Sequence, residues 1–576
     1  MKKINFSGEN FYYLLLFLFV VANCIIQCAM FDSNFFTLYD EAYCLLKCRD
    51  AYDGIITGKS QWDWLAVNWF PYFDLTNKVY ASWASVILIA ATILNTLIAF
   101  RLITQRWSFF KCCSLLLLLL FPVIGGEYAS DIQTRVGWVT GVNYLVIQVF
   151  LLESAISVFL IYYYNKKSTI KTIALVICGI LSGISLFVII PSGVLVILCM
   201  GGLIIFKQED WTNKIYGYLW LLLGICIAMI YIHLFISPLP SIIKEMLFTA
   251  SYVEKSGFGY TPIDFLRNIG SVILDFLGYI PLLFGIWYIS TKVNFKIKQI
   301  EYLSYIVYIG LFVIWIYRDS LVYRSFMPTI PFLACSTCMI MCSIFHANDI
   351  LNIRKNIPYL FLFVMPLVCA IGTNTNLWGR IGCFIVPWGI LIVMSEDFMQ
   401  IHIDKKVIVG FIVLLLIPLS INTSRIVYHS KKYYTEHFVS GNQNVAGIAM
   451  TVEQKKYFEK IQNIIEKYDY QPRKSVFFAS YLDYCTIYAL DAELSSKFHL
   501  PCNFPFFPKE QMLQPDFIIL IPEESHIYKL EELKWGWPEE YDVFEIGTPE
   551  TIHQKLIGDV AKKRLLYCRK SLKRQQ

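Results

Sequence analysis

The sequence predicts an α-helical polytopic membrane protein with about 13 transmembrane helices and a small C-terminal α/β soluble domain. Mean hydropathy is +0.54 and 16% of the 576 residues are charged, whereas soluble globular proteins have roughly a quarter charged residues. Apolar stretches of about 15 to 22 residues recur, and each could cross a hydrocarbon core roughly 30 Å thick. After residue 422 these stretches stop and the density of charge rises.

The predicted transmembrane domain comprises residues 1–421. Its helices are expected near residues 11–31, 80–100, 112–126, 139–163, 172–189, 191–206, 215–236, 271–290, 303–317, 327–345, 357–371, 382–395 and 407–421. A signal peptide is the alternative for residues 11–31, but no small-x-small cleavage site follows, which favours an uncleaved helix. Residues 191–193 are expected to form a tight turn between the fifth and sixth helices.

The basic residues of the short loops predict the orientation of the helices. They recur at alternate helix ends, in the loops near residues 2–3, 101–111, 166–171, 207–214, 292–298, 354–355 and 405–406. A count of thirteen helices places these loops in the cytoplasm. The remaining loops then lie outside, at residues 32–79, 127–138, 237–270, 318–326 and 372–381. The same basic loops explain the net charge of +6, which therefore gives no argument for nucleic acid.

Residues 422–576 are predicted to form a small extracytoplasmic α/β domain. Residues 452–468 have the pattern of an amphipathic helix, and residues 475–480, 517–521 and 542–546 that of short buried strands. Helices that alternate with such strands favour an α/β arrangement.

The long first outer loop contains the sequence Tyr-Asp-Glu-Ala-Tyr at residues 39–43. Asp40 would suit an N-cap and Glu41 the first turn of a helix; alternatively, the two are catalytic acids. The aromatic residues of the segment 61–73 fit an interfacial belt, or an apolar floor for a sugar or a lipid tail.

Two further carboxylates, Glu127 and Asp131, lie at the outer end of another helix. A carboxylate near a membrane surface can act as a general base or hold a divalent cation. Asp131 is thus a candidate catalytic residue and a candidate metal ligand, and a solvated loop is the alternative.

Some basic residues occur in the outer loops, against the positive-inside trend. They are Lys78, Arg135, Lys244, Lys255, Arg267, Arg318, Arg324 and Arg380. Arg324 lies at the mouth of the tenth helix, where a charge needs a partner. A phosphate would serve, because the guanidinium binds it in a fork, and snorkelling to lipid headgroups is the alternative. Residues 372–380 are polar and suit sugar hydroxyls or a tight turn.

Three of these segments resemble motifs of the GT-C glycosyltransferases, a superfamily that includes protein mannosyltransferases and the aminoarabinose transferases that modify lipid A. The Asp-Glu pair after the first helix is similar to their first-loop motif. Residues 179–185, Gly-Ile-Leu-Ser-Gly-Ile-Ser, and the following Pro191 are similar to their glycine-rich fifth helix and its proline turn. Tyr323 and Arg324, with the prolines that follow, resemble a later Arg-Tyr…Pro stretch. The resemblance spans about residues 11–421.

This resemblance implies inverting transfer of a sugar from a polyprenyl-phosphate donor to a lipid, glycan or protein acceptor at the outer face of a bacterial inner membrane, with the C-terminal domain in the periplasm. Asp40 would be the general base and Glu41 would orient nearby groups. Asp131 or Glu127 would supply a second acid, which in some relatives helps to hold a metal. The basic residues that would bind substrate or its phosphate are Arg324, Arg135, Lys78 and Arg380.

Two other functions remain open from the sequence. A transporter or flippase for a lipid-linked saccharide would need ionisable residues in mid-helix, and the predicted helices contain only Glu153 and Asp275 as such residues. A non-catalytic assembly protein would retain its function in an Asp40→Asn variant.

Overall fold

In the computed structural model, the residues described are 39–54, 62–104, 144–244, 353–372, 381–384, 386–393, 435–437, 448–479, 483–495, 512–524, 530–532, 535–548 and 563–574, with a few single positions besides. The helices expected near 11–31, 112–126, 271–290, 303–317, 327–345 and 407–421 lie mostly or wholly outside these residues. So does the expected domain boundary at residue 422. The total of thirteen helices therefore stays a prediction.

The N-terminal part of the described chain is helical. Its α-helices are α1 (Tyr39–Tyr52), α2 (Trp62–Trp69), α3 (Lys78–Thr104), α4 (Tyr144–Tyr164), α5 (Ser168–Ser185), α6 (Ile190–Phe206), α7 (Trp211–Tyr231), α8 (Ile353–Ala370) and α9 (Val386–Val393). A π-helical segment, Ile232–Ile236, continues α7. Within the described ranges, α3, α4, α5 and α7 with its extension are long and apolar enough to cross a membrane, while α6 and most of α8 are shorter apolar helices. The chain is thus a multi-pass helical membrane protein.

Three basic loops meet at one end of these helices. The Nζ atoms of Lys171 and Lys207 lie 2.8 Å and 3.1 Å from the Glu209 Oε1 atom. The side-chain amide of Asn165, after α4, donates to the carbonyl of Leu102 in the last turn of α3, at 3.0 Å. The loops after α3, α4 and α6 therefore share one end, as the alternation of basic loops predicts.

The connection between α5 and α6 differs from the expected turn at residues 191–193. Residues 186–189 connect the helices, and Pro191 lies in the first turn of α6. A proline is tolerated there because the first-turn N–H has no intrahelical acceptor. Gly372, after α8, has φ +92 and lies against this connection: a Cβ atom at Gly372 would be 3.0 Å from Ile189 Cγ2 and from Pro191 Cγ.

The glycine-rich segment of α5 packs directly against α7. A Cβ atom added to Gly179 would lie 2.2 Å from the Leu221 carbonyl oxygen, and one added to Gly224 would lie 2.2 Å from that of Val176. Small residues allow membrane helices to approach this closely. The glycines at 179 and 224 are therefore required by the helix contact.

Helix α4 occupies the centre of the described helices, with 83% of its most apolar stretch buried. Polar side chains bind it to its neighbours. Asn95 of α3 donates to the Ser154 hydroxyl at 3.0 Å, and the Gln148 amide donates to the Ser192 hydroxyl of α6 at 2.8 Å. Such bonds across membrane helices add to van der Waals packing.

The C-terminal domain contains a helix, α10 (Val452–Ile465), a short helix, α11 (Tyr484–Leu490), and a mixed five-stranded sheet. Thr451 and Gln454 form a capping box at the start of α10. The strands are β1 (Glu436–His437), β2 (Ala449–Met450), β3 (Val476–Ala479), β4 (Glu493–Leu494), β5 (Phe517–Leu520), β6 (Tyr541–Gly547) and β7 (Arg564–Arg569). β1 pairs with β2, separately from the sheet.

The sheet has the order β4-β3-β5-β7-β6. β3 is parallel to β4 and β5, and β7 is antiparallel to β5 and β6. The sequence predicted α10, β3, β5 and β6 and missed the other two strands of this sheet. β4 has only two residues, and β7 has a charged residue at each end, so neither is a continuous apolar run.

Candidate functional site

The acidic motif lies in α1. Asp40 and Glu41 have helical backbone, so Asp40 is not an N-cap. In the helical register, position 40 shares a face with positions 44 and 47, because side chains four and seven residues apart lie on the same face.

Helix α1 is buried on two faces by two different parts of the protein. Cys44 and Cys48 belong to the apolar core of the membrane helices. Ala42, Leu45 and Leu46 belong to the core of the C-terminal domain. The helix that carries the acidic motif is thus held between the membrane part and the C-terminal domain.

A buried ion pair connects α1 to α2. Lys47 Nζ lies 3.2 Å from Asp63 Oδ2, and the two side chains are 0% and 2% exposed. Burial raises the pKa of the Asp63 carboxyl to about 6, against the opposing effect of the Lys47 ammonium. Position 47 is on the same helix face as position 40, so this pair lies along the face of α1 that carries Asp40.

This pair was not predicted from the sequence. The segment Trp62-Asp63-Trp64 was interpreted as part of an aromatic belt or an apolar floor, and no role was predicted for Lys47. The available signal is a lone carboxylate between two tryptophans on a short apolar helix, because a charge on such a helix needs a partner when it is buried.

Lys78, predicted to contact substrate or its phosphate, is the first residue of α3 and is 1% exposed. Its carbonyl accepts a hydrogen bond from the Ser82 hydroxyl at 2.9 Å. Ala81, in the same helical turn, packs into the core of the C-terminal domain. Lys78 therefore lies in the interior where α3 meets that domain, and its role toward a ligand stays a prediction.

The other predicted site residues lie outside the described residues. They are Asp131, Glu127, Arg135, Arg324 and Arg380. Of the predicted site residues, the structure describes Lys78 and the backbone of Asp40 and Glu41, and the convergence of the predicted residues on one site stays a prediction.

Polar contacts bind the C-terminal domain to the segment between residues 39 and 79, the predicted first outer loop. Arg49 of α1 lies with Nη1 3.4 Å from Asp491 Oδ1, and Arg473 Nε lies 2.8 Å from the same oxygen. The Tyr488 hydroxyl of α11 donates to the backbone carbonyl of Thr76, just before α3. The Arg49–Asp491 and Tyr488–Thr76 contacts join residues more than 400 positions apart in the sequence, which explains why sequence patterns did not indicate them.

A divalent metal was predicted as a candidate cofactor, with Asp131 as ligand. Among the residues that the structure describes, no group of three or more His, Cys, Asp or Glu side chains could hold a metal ion. Asp131 is not among those residues, so the ligand assignment stays a prediction.

Glu153, one of the two acids in the predicted membrane helices, lies within α4 and is 0% exposed. An ionisable residue inside a membrane segment is a functional candidate by default, so Glu153 is relevant to the transporter alternative.

No protein-family model matches the sequence, and no curated protein matches it. Among solved structures, the chain is similar to the oligosaccharyltransferase of Archaeoglobus fulgidus in complex with Zn and sulfate. The identity is 13%, 87% of this chain and 67% of that chain are covered, and the TM-score is 0.46.

The chain is also similar to ArnT from Cupriavidus metallidurans. For the apo state the identity is 10%, with 99% of this chain and 100% of that chain covered and a TM-score of 0.45. For the form bound to undecaprenyl phosphate the identity is 11%, with 98% of this chain and 99% of that chain covered and a TM-score of 0.43. Oligosaccharyltransferase and ArnT are GT-C membrane glycosyltransferases, the superfamily whose motifs the sequence resembles. At such low identity, the similarity extends to no individual residue of the site.

Proposed function

We propose that the protein is a membrane glycosyltransferase that moves a sugar from a polyprenyl-phosphate donor to an acceptor hydroxyl, with Asp40 as the general base. One observation carries the proposal: an Asp-Glu pair lies in a helix that is fixed between the membrane helices and the C-terminal domain. A catalytic acid must be held in place to contribute, since small displacements cost large factors in rate.

The proposed reaction is a single displacement at the anomeric carbon. Asp40 accepts the proton of the acceptor hydroxyl, and the acceptor oxygen forms a bond to the anomeric carbon. The bond from that carbon to the phosphate oxygen breaks, and the polyprenyl phosphate leaves with the electron pair. Attack from the face opposite the phosphate inverts the anomeric centre. The lipid phosphate is the leaving group, so the reaction needs no ATP.

The remaining predicted residues have electrostatic roles in this proposal. Arg324, assisted by Arg135 and Arg380, neutralises the charge that develops on the leaving phosphate. Glu41 orients nearby groups, and Asp131 or Glu127 supplies a second acid. A divalent cation, where one is bound by Asp131, would stabilise negative charge on phosphate oxygens.

The proposed location is a bacterial inner membrane, with the reaction and the C-terminal domain on the periplasmic side. The grouping of the basic loops at one end of the helices supports this orientation through the positive-inside rule. The few disulfide candidates and the absence of a sequon pattern, with sequons only at residues 5–7 and 422–424, favour a bacterial host.

The test is transfer from a polyprenyl-phosphate sugar by the purified protein in detergent. General base catalysis contributes roughly 10² to 10⁴ in rate, so Asp40→Asn should lose activity by about that factor at normal protein level. The control is Glu545→Gln, an exposed acid of the C-terminal domain. Full activity in Asp40→Asn would sink the assignment of the base.

A transporter or flippase for lipid-linked saccharides is the second candidate, and the buried carboxyl of Glu153 favours it. Such a protein should move a labelled lipid-linked sugar across proteoliposome membranes, and Glu153→Gln should abolish the movement. Sugar transfer without any translocation by the same preparation would exclude this candidate.

A further inference from the structure

We propose that the C-terminal domain positions the acidic motif from behind, with Arg49, Tyr488 and Asp491 as positioning residues. The structural part of this inference depends only on the contacts of α1. Its consequence for activity rests on the proposed function, in which Asp40 is the general base.

The helical register of α1 divides its two partners between opposite faces. At 100° per residue, positions 44, 47, 48 and 51 lie within about 80° of position 40. Positions 42, 45, 46 and 49 lie about 140° to 240° from it. The first set includes the cysteines of the membrane core and the second is the set that contacts the C-terminal domain. The domain therefore covers the back of the helix that carries Asp40.

An ionic contact fixes the far end of this back face. Arg49 is 4% exposed, and its Nη1 atom lies 3.4 Å from Asp491 Oδ1. A guanidinium this buried needs an anionic partner. Position 49 is nine residues after position 40, which is about 13 Å along the helix axis. The contact therefore fixes the helix about two and a half turns away from the motif.

Asp491 is itself held within the C-terminal domain. It ends α11 in the left-handed conformation, with φ 54 and ψ 40, and its N–H donates to the Tyr488 carbonyl at 3.0 Å. Its carbonyl accepts from the Arg473 N–H at 2.7 Å, while its carboxylate accepts from the Arg473 side chain at 2.8 Å. The anion that receives Arg49 is therefore in a set position.

Tyr488 provides the second contact. It is 2% exposed, and its hydroxyl donates to the Thr76 carbonyl in the turn before α3. The Asp74 carboxylate accepts the Thr76 N–H at 3.0 Å and so fixes the same turn. One short helix of the C-terminal domain, α11, with the residue that ends it, thus contacts the segment between residues 39 and 79 at two points, at α1 and in the turn before α3.

The experiment compares full-length variants in detergent. Tyr488→Phe removes one hydroxyl and Asp491→Asn one charge, and Asp491→Glu is the conservative variant. Ile518→Val is the matched control, because Ile518 lies in a separate core cluster of the C-terminal domain and should lower thermal stability without touching α1. Hydrogen exchange of peptides from residues 39–52 and the kcat and KM of sugar transfer are measured for each.

We expect Asp491→Asn and Tyr488→Phe to speed exchange in residues 42–52 and to lower kcat about tenfold or more with little change in the KM for the donor. Asp491→Glu should restore part of kcat, and Ile518→Val should leave both readouts unchanged. Unchanged exchange in the Tyr488→Phe, Asp491→Asn double variant would overturn the inference, as would an equal effect of Ile518→Val. Absence of transfer by the wild-type protein would instead overturn the proposed function, and the exchange data would still decide the positioning.

Discussion

Removing the ammonium of Lys47 would leave the carboxyl of Asp63 buried without its cation. The Lys47→Met variant keeps most of the volume of the side chain, so the loss of charge is the main change. Breaking a buried ion pair by removing one partner costs about 3 to 5 kcal/mol. Since the two side chains are 0% and 2% exposed, solvent gives little compensation.

The cost should depend on pH with a defined sign. Burial already raises the pKa of Asp63 to about 6, and loss of Lys47 removes the main influence that lowers it. An acid whose folded pKa is raised stabilises the fold below its unfolded pKa of about 3.9, and this contribution is lost as pH rises through the folded pKa. A difference of one between the folded and unfolded pKa corresponds to about 1.4 kcal/mol of folding free energy. The wild-type protein therefore loses about 3 kcal/mol from Asp63 between pH 4 and 6, and the variant loses more, over a window that extends to higher pH.

The measurement is the thermal unfolding temperature of wild type and Lys47→Met in detergent at pH 5 and pH 8. We expect the difference in unfolding temperature between the two proteins to be larger at pH 8. At that pH the buried Asp63 carboxyl of the variant must either ionise without its cation or stay protonated, and each of these costs free energy. The control is Lys563→Met, which breaks the exposed pair with Glu545 and should cost about 0 to 1 kcal/mol. A larger loss at pH 5 than at pH 8, or no loss at either, would refute the reasoning.

Other parts of the fold give further expectations. Gly179→Leu should prevent the contact of α5 with α7 and sharply reduce the yield of folded protein, whereas Gly202→Ala, with nothing within 4 Å of its Cβ position, should be tolerated in the same expression assay. Thr451→Ala removes the cap of α10 and should lower unfolding stability by about 1 kcal/mol; an unchanged unfolding temperature would contradict this. Arg564→Met leaves buried Asp483 without the guanidinium 3.1 Å away and should cost about 3 to 5 kcal/mol, while loss of exposed Arg574 should cost far less.

Elements with regular periodicity could be predicted from the sequence. The apolar stretches of α3 to α7 and the amphipathic pattern of α10 gave these helices within a few residues, because burial of one face or of the whole helix selects the pattern directly. The turn at 191–193 was misplaced because proline suits both a turn and the first turn of a helix.

The contacts of the candidate site could not be predicted in the same way. Lys47 and Asp63 pair across two short helices, and Arg49 meets Asp491 from 442 positions away. Nothing in local spacing distinguishes such partners from solvated charges. The acidic motif itself was found because it resembles a family motif, whereas the face of α1 on which it lies could be assigned only once the two buried faces were known.

The buried ion pair between Lys47 of α1 and Asp63 bears on function as well as on stability. Apolar side chains of similar volume often replace a buried ion pair without loss of stability, or with a gain, so packing alone does not require Lys47 and Asp63. If the pair serves only the fold, a Lys47→Met, Asp63→Leu double variant should recover the stability that Lys47→Met loses and should keep full transfer activity. If the pair instead sets the electrostatic environment of the face that carries Asp40, the double variant should unfold at or above the wild-type temperature and still lose transfer. We expect the second outcome. The unfolding temperature and the kcat of sugar transfer are measured on the same preparation. Full activity in a stable double variant would show that the pair has only a structural role.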